Sequence, residues 1–124
     1  MKTFGEKVIE FNQNLHYQGK LPEDFLVINP FEENPETMTV MQEFYRKFYN
    51  DQKKRHFILG INPGRHGAAV TGVQFTDTKN LGKYCGIEMT SAKSHEISSV
   101  FVYAMIETFG GVEKFYSEFY INSP

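Results

Sequence analysis

The residues from Gly60 to Phe75 (Gly-Ile-Asn-Pro-Gly-Arg-His-Gly-Ala-Ala-Val-Thr-Gly-Val-Gln-Phe) concentrate chemistry in a short stretch. Asn62 is a rigidly delivered amide, and an amide offers a hydrogen-bond donor and an acceptor together. Gly60, Gly64, Gly67 and Gly72 permit positive φ and let a ligand approach the backbone closely. Phe75, at the end of the loop, could form a flat wall. A polar amide facing an aromatic plate makes a pocket for a planar heterocycle. Asn-Pro-Gly is also simply a good turn, and on the residues alone both readings stand.

These residues need a scaffold. The run His56-Phe57-Ile58-Leu59-Gly60-Ile61 is short, apolar and rich in strand formers. It reads as a strand buried on both faces, the type found in parallel sheets, and it runs straight into the turn at Asn62. Phe4, Val8, Phe11 and Leu15 recur at helical spacing, so residues 3–17 read as an amphipathic helix. Asp24 to Asn29 is a short apolar extended run. Asn34-Pro35 starts a helix that lines Met38, Met41, Phe44, Tyr45 and Phe48 on one face. Residues 78–85 form a short helix capped by Asp77. Ser94 caps a longer one carrying Ile97, Phe101, Met105 and Phe109, which Gly110-Gly111 stops. A brief helix, Val112 to Ser117, precedes the extended run Phe119-Tyr120-Ile121. Strands alternating with helices predict an α/β fold, a three-layer sandwich around a parallel sheet. In open α/β sheets the site lies beyond the carboxyl ends of the strands. Three candidate strands are few for such a sheet, so residues 1–124 are expected to be the first part of a longer domain.

Composition narrows the classes. The chain has 124 residues, 40% hydrophobic and 23% charged, an ordinary globular balance suited to one domain. Thirteen Lys and Arg against fifteen Asp and Glu exclude a strongly basic nucleic-acid-coating protein, though not a local basic patch. No apolar run is long enough for a membrane span, and the N-terminus lacks the pattern of a secretory signal. The single cysteine, Cys85, rules out an internal disulfide and a four-cysteine zinc site. His66, Cys85 and His95 lack short metal-ligand spacing, so no metal site is expected. A cytoplasmic, reduced-compartment domain is expected. Twelve Phe and seven Tyr supply a large apolar and stacking payload.

The loop resembles motif one of the uracil-DNA glycosylase superfamily, most closely the single-strand-selective monofunctional branch and its bacterial relatives. That branch reads Gly-Met-Asn-Pro-Gly, a small-residue loop, then Thr-Gly-Val-Pro-Phe. Here the residues are Gly60-Ile61-Asn62-Pro63-Gly64 and Thr71-Gly72-Val73-Gln74-Phe75 at the same spacing. Asn29-Pro30-Phe31-Glu32, Gly86-Ile87-Glu88, the helix Ser98 to Gly111 and Phe119-Tyr120-Ile121-Asn122 resemble further family segments, so the likeness covers essentially the whole chain.

The resemblance implies hydrolysis of the N-glycosidic bond between a damaged base and deoxyribose in DNA. The base must leave the stack, which costs least in a single strand. Asn62 would position the attacking water, since an amide is a poor base. Phe75 would stack on the base, and Asn122 would read its edge. Backbone groups of the Gly60–Gly64 turn, with Ile61 and Pro63, would complete the base contacts. No cofactor is implied. The plainer alternatives are a turn-forming or helix-capping Asn62, a core Phe75 and a turn residue at Asn122. Arg65, His66 and Lys79 are candidates for DNA phosphate contact, the plainer alternative being solvated surface. The run Lys53-Lys54-Arg55 reads as a solvated turn at the opposite end of its strand.

Departures from the family pattern also carry expectations. The second motif, His-Pro-Ser, is absent from these residues; its His stabilises charge on the departing base, and such a donor is worth roughly 10²–10³ in rate. The chain alone is therefore expected to be inactive or severely impaired. Arg65 and Gln74 each stand where the family carries Pro. Ala68 stands where animal members carry a Met near the base. An incomplete sheet is expected to leave faces and an edge open to homodimerisation. The competing reading is a non-catalytic module that binds a nucleobase or single-stranded nucleic acid through the same loop.

Overall fold

The computed structural model describes residues 1–123. Two short strands set its frame. β1 (His56–Leu59) and β2 (Phe119–Asn122) pair in parallel, with His56 opposite Phe119 and Leu59 opposite Asn122. Parallel strands need a long crossover. Here it runs through α4 (Ala68–Thr71), α5 (Thr78–Cys85), α6 (Ile97–Phe109) and α7 (Val112–Glu118). α1 (Phe4–Gln13), α2 (Pro30–Glu33) and α3 (Pro35–Phe48) precede β1. The fold is α/β, built on a small parallel sheet, as the alternation of patterns predicts.

The helix ends follow from local chemistry. The Thr3 hydroxyl accepts from the Glu6 backbone N–H while the Glu6 carboxylate accepts from that of Thr3, a reciprocal capping box. Asn34 caps α3 through the Glu36 N–H, with Pro35 at the first helical position. Asp77 caps α5 through the Asn80 N–H at 2.8 Å. Gly110 and Gly111, at φ 132° and 101°, end α6 in backbone that L side chains rarely adopt.

Four expectations need correction. α1 stops at Gln13, not near residue 17, because the Asn14 side chain turns back to donate to the Glu10 carbonyl. Residues 24–29 form no strand. No sheet edge pairs with them, and Asn29 instead caps α2 through the Phe31 N–H and donates to the Leu15 carbonyl at 2.8 Å. α6 begins at Ile97, not after Ser94, because Ser94 and Thr78 exchange bonds between backbone N–H and hydroxyl at 3.1 and 2.7 Å. β1 is not buried on both faces: Phe57 and Leu59 are 57% and 65% exposed. The strand has a partner on one edge only, and these two side chains face a cavity.

The aromatic residues account for the core. Phe44, Tyr45, Phe48 and Tyr49 from α3 and its end pack with Tyr103, Tyr116 and Ile121. Phe44 meets Tyr116 edge to face at 5.0 Å, and the Tyr49 hydroxyl donates to the Phe119 carbonyl at 2.7 Å, tying α3 to β2. Arg55 is another departure from expectation. Its guanidinium is fully buried over the rings of Phe4 and Tyr49, forks onto Asp51 at 2.8 and 2.9 Å, and donates to the Tyr116 carbonyl. It is a staple at the start of β1, where stacking and a bidentate carboxylate satisfy the buried cation.

Candidate active site

The loop after β1 lies beside the end of β2. The Gly60 N–H continues the ladder by donating to the Asn122 carbonyl at 2.8 Å. This bond brings the start of the Asn62 turn next to Asn122, both at the carboxyl ends of parallel strands. A side-chain carbon added at Gly60 would stand 2.8 Å from Ser123 Oγ and 3.6 Å from the Phe75 ring. Glycine is needed there for close approach, because Gly60 does not have a positive φ. Of the four loop glycines only Gly72, at 75°, has a positive φ. It terminates α4 beneath the Phe31 ring.

Thr71, fully buried, holds the far end of the loop. Its hydroxyl bonds the Thr76 carbonyl at 2.7 Å, and the Val73 N–H donates back to it at 3.1 Å. Thr76 in turn meets the buried Tyr103 hydroxyl at 2.7 Å. The Thr-Gly-Val triplet of the motif is thus a buried hydrogen-bonded knot under the loop. Phe75 has the only positive φ of a non-glycine among the described residues, 53°, which aims its half-buried ring at Gly60. Such backbone costs an ordinary residue about 1–2 kcal/mol. A flat wall beside the turn is therefore present.

A cavity of about 530 Å³ opens at the same strand ends, within the range that takes small molecules. Pro63, Ala68, Gly72, Gln74 and Asn122 line it together with Asn29, Phe31, Phe57 and Leu59, while Asn62 and Phe75 are not among the lining residues. Asn122 is half-buried, and its Oδ1 accepts from the Ser123 N–H at 2.8 Å. The Ser123 hydroxyl donates to Gln74 Oε1, and the Gln74 amide points toward Asn122 at 3.5 Å. Burial pushes the nearby Tyr120 phenol up to about 12 despite an opposing hydrogen bond from Asn122. The Asn122 end of the cavity is made of amides and hydroxyls suited to reading a heterocycle edge.

Gly60 lies beside both Phe75 and Asn122. Ile61, Asn62 and Pro63 follow on the exposed turn, and Gly64 is partly covered. Arg65, His66 and Lys79 are exposed. Two functional neighbours escape sequence reasoning. Asn29 lies far upstream yet lines the cavity from a buried position. Asp77, legible as a helix cap, also accepts from the Glu96 N–H at 2.7 Å and so joins α5 to α6. Cys85 is fully buried, and burial pushes its thiol up to about 11. Among the described residues no cluster of three or more His, Cys, Asp or Glu could hold a metal, and no helix is long and apolar enough to cross a membrane.

The parallel strand pair and the helices around it make an α/β fold of the uracil-DNA glycosylase-like kind. Comparison with solved structures places this chain beside a crystal structure of wild-type SMUG2 from Pedobacter heparinus. The two are 52% identical, with a TM-score of 0.94 over 100% of this chain. This chain spans 53% of the length of that one. No family model and no curated protein matches the chain.

Proposed function

We propose that this chain is the N-terminal portion of a base-excision DNA glycosylase that hydrolyses the N-glycosidic bond of uracil or a related damaged base. The observation that carries the reading is the backbone Gly60–Asn122 hydrogen bond, which joins the start of the Asn62 turn to the strand end that bears Asn122, with Pro63 and Asn122 both lining the cavity. The likeness to SMUG2 supports it. Asn62 positions the water and Phe75 provides the stacking surface. Asn122 reads the base edge, while Gly60, Ile61, Pro63 and Gly64 contact the base. Arg65, His66 and Lys79 offer positive charge to phosphates. The partner is uracil-containing DNA, single-stranded by preference, in a cytoplasmic setting. The open edge of β1 and the exposed Phe57 and Leu59 suit pairing with a second copy.

On this reading the 124 residues alone bind a flipped base but cleave it slowly, because they carry no His-Pro-Ser segment to stabilise the leaving base. A second reading of the same loop is a non-catalytic nucleobase or single-strand binder. Titration of fluorescent single-stranded oligonucleotides, with and without uracil, separates the two. Tighter binding to the uracil strand supports the glycosylase reading, and equal binding supports a generic binder.

A further inference from the structure

Glu96 stands at the N-cap of α6, where a carboxylate is favoured by the free N–H groups of the helix, yet its side chain makes no capping bond. It turns instead onto the loop that carries Asn62. A side-chain carbon added at Gly64 or at Gly67 would collide with the Glu96 carboxylate. Neither glycine has a positive φ, but Gly67, at φ −109° and ψ −102°, lies outside the helical and extended regions that L side chains favour. The missing side chains at Gly64 and Gly67 leave the notch that receives this carboxylate. Ser98 holds Oε1 through its hydroxyl, and Asp77 holds the Glu96 backbone N–H. The other oxygen, Oε2, is buried with no hydrogen-bond partner among the described residues. A buried acceptor left open is costly and rare in native proteins.

We propose that Glu96 is a positioning residue: its carboxylate, seated in the Gly64–Gly67 notch, fixes the turn that presents Asn62. The inference rests on the functional reading above only for the consequence in binding; the seating itself is a property of the loop. The chain of restraint runs from the Asp77 carboxylate to the Glu96 backbone, then through the Glu96 side chain to the loop. Glutamine at this position has the same shape. Its amide can donate to Ser98 while its oxygen occupies the notch, so Glu96→Gln should preserve the seat and Glu96→Ala should empty it.

The test reads Asn62 directly. In ¹⁵N-labelled chain, Glu96→Ala should shift or broaden the Asn62 side-chain amide resonances, and Glu96→Gln should leave them near their wild-type positions. Affinity for a uracil-containing single strand should fall at least fivefold in Glu96→Ala and recover in Glu96→Gln. Combining Glu96→Ala with Asn62→Ala should cost no more than Asn62→Ala alone, because one acts through the other. If Glu96→Ala does not fold, Gly64→Ala places a side-chain carbon against the same carboxylate and should perturb the same Asn62 resonances. A lowered melting temperature with unchanged Asn62 resonances would overturn the proposal and leave Glu96 merely structural. If wild-type chain shows no uracil preference, the functional reading fails, and the Asn62 resonances still decide the role of Glu96.

Discussion

Removal of the Asp77 carboxylate should show how far the site depends on a single buried acceptor. Asp77 is completely shielded from solvent. One oxygen accepts from the Asn80 N–H at 2.8 Å and the other from the Glu96 N–H at 2.7 Å, with His95 Nδ1 3.4 Å away. The two backbone bonds belong to the first turn of α5 and the entry to α6. A hydrogen bond to a charged acceptor contributes about 1.5–3 kcal/mol. In Asp77→Ala both N–H groups lose their acceptor in a buried place, for a loss of roughly 3–5 kcal/mol if water recovers little. With an unfolding entropy of about 2 cal/mol/K per residue, the melting temperature should fall by roughly 10–20 °C. Asp77→Asn keeps one oxygen acceptor and should lose about half as much. Thermal unfolding followed by circular dichroism at neutral pH measures both. A change in Asp77→Ala within about 0.5 kcal/mol of wild type, the range of ordinary surface substitutions, would refute this account of the junction.

Other perturbations have equally definite outcomes. Asn62 is exposed, so Asn62→Ala should change stability by less than about 0.5 kcal/mol while abolishing uracil preference; calorimetry and oligonucleotide titration check the two halves. Gly72→Ala forces a side chain into φ 75° and to 2.5 Å from the Phe31 ring, and should destabilise by about 2–4 kcal/mol in denaturant unfolding. The Ser91 side chain first, then the N–H groups of Thr90 and Ser91 and the Thr90 hydroxyl, hold the Glu36 carboxyl at about 2. Because the folded value is depressed, this tether is fully present above pH 4.5 and is lost as pH falls through about 2; the Thr90 and Ser91 amide shifts should titrate in that window. Cys85, with its thiol pushed up to about 11 and no exposure, should resist a thiol reagent at pH 8 in native chain and react once unfolded.

The parts of this fold readable from sequence are those governed by neighbours in the chain. Asn34-Pro35, Asp77 and Gly110-Gly111 mark helix ends by local hydrogen bonding and backbone freedom, and the structure places helix ends there. The α/β alternation and the turn after β1 were legible for the same reason. Strand formation at 24–29 was not, because an extended apolar run becomes a strand only where an edge accepts it. Arg55 read as solvated because its neighbours in sequence are charged, whereas its partners Phe4, Tyr49 and Tyr116 come from distant segments. Within the site, Gly60 and Phe75 belong to one sequence motif, while Asn122 reaches Gly60 through the pairing of β1 with β2. Motif spacing could not foretell Asn29 lining the cavity or Glu96 in the loop, since each arrives from a separate element. Gly64 and Gly67 carried a signal in hindsight: their spacing marks a notch, though not what fills it.

The central claim is that this chain takes a uracil out of its strand and holds it at the Asn62 turn. The most direct measurement is the fluorescence of 2-aminopurine placed beside a uracil in a single-stranded oligonucleotide, since extruding the uracil unstacks its neighbour. The account predicts a saturable rise on adding wild-type chain, none with thymine in place of uracil, and a much reduced rise with Asn62→Ala. An equal rise with thymine, or an unchanged rise with Asn62→Ala, would contradict it.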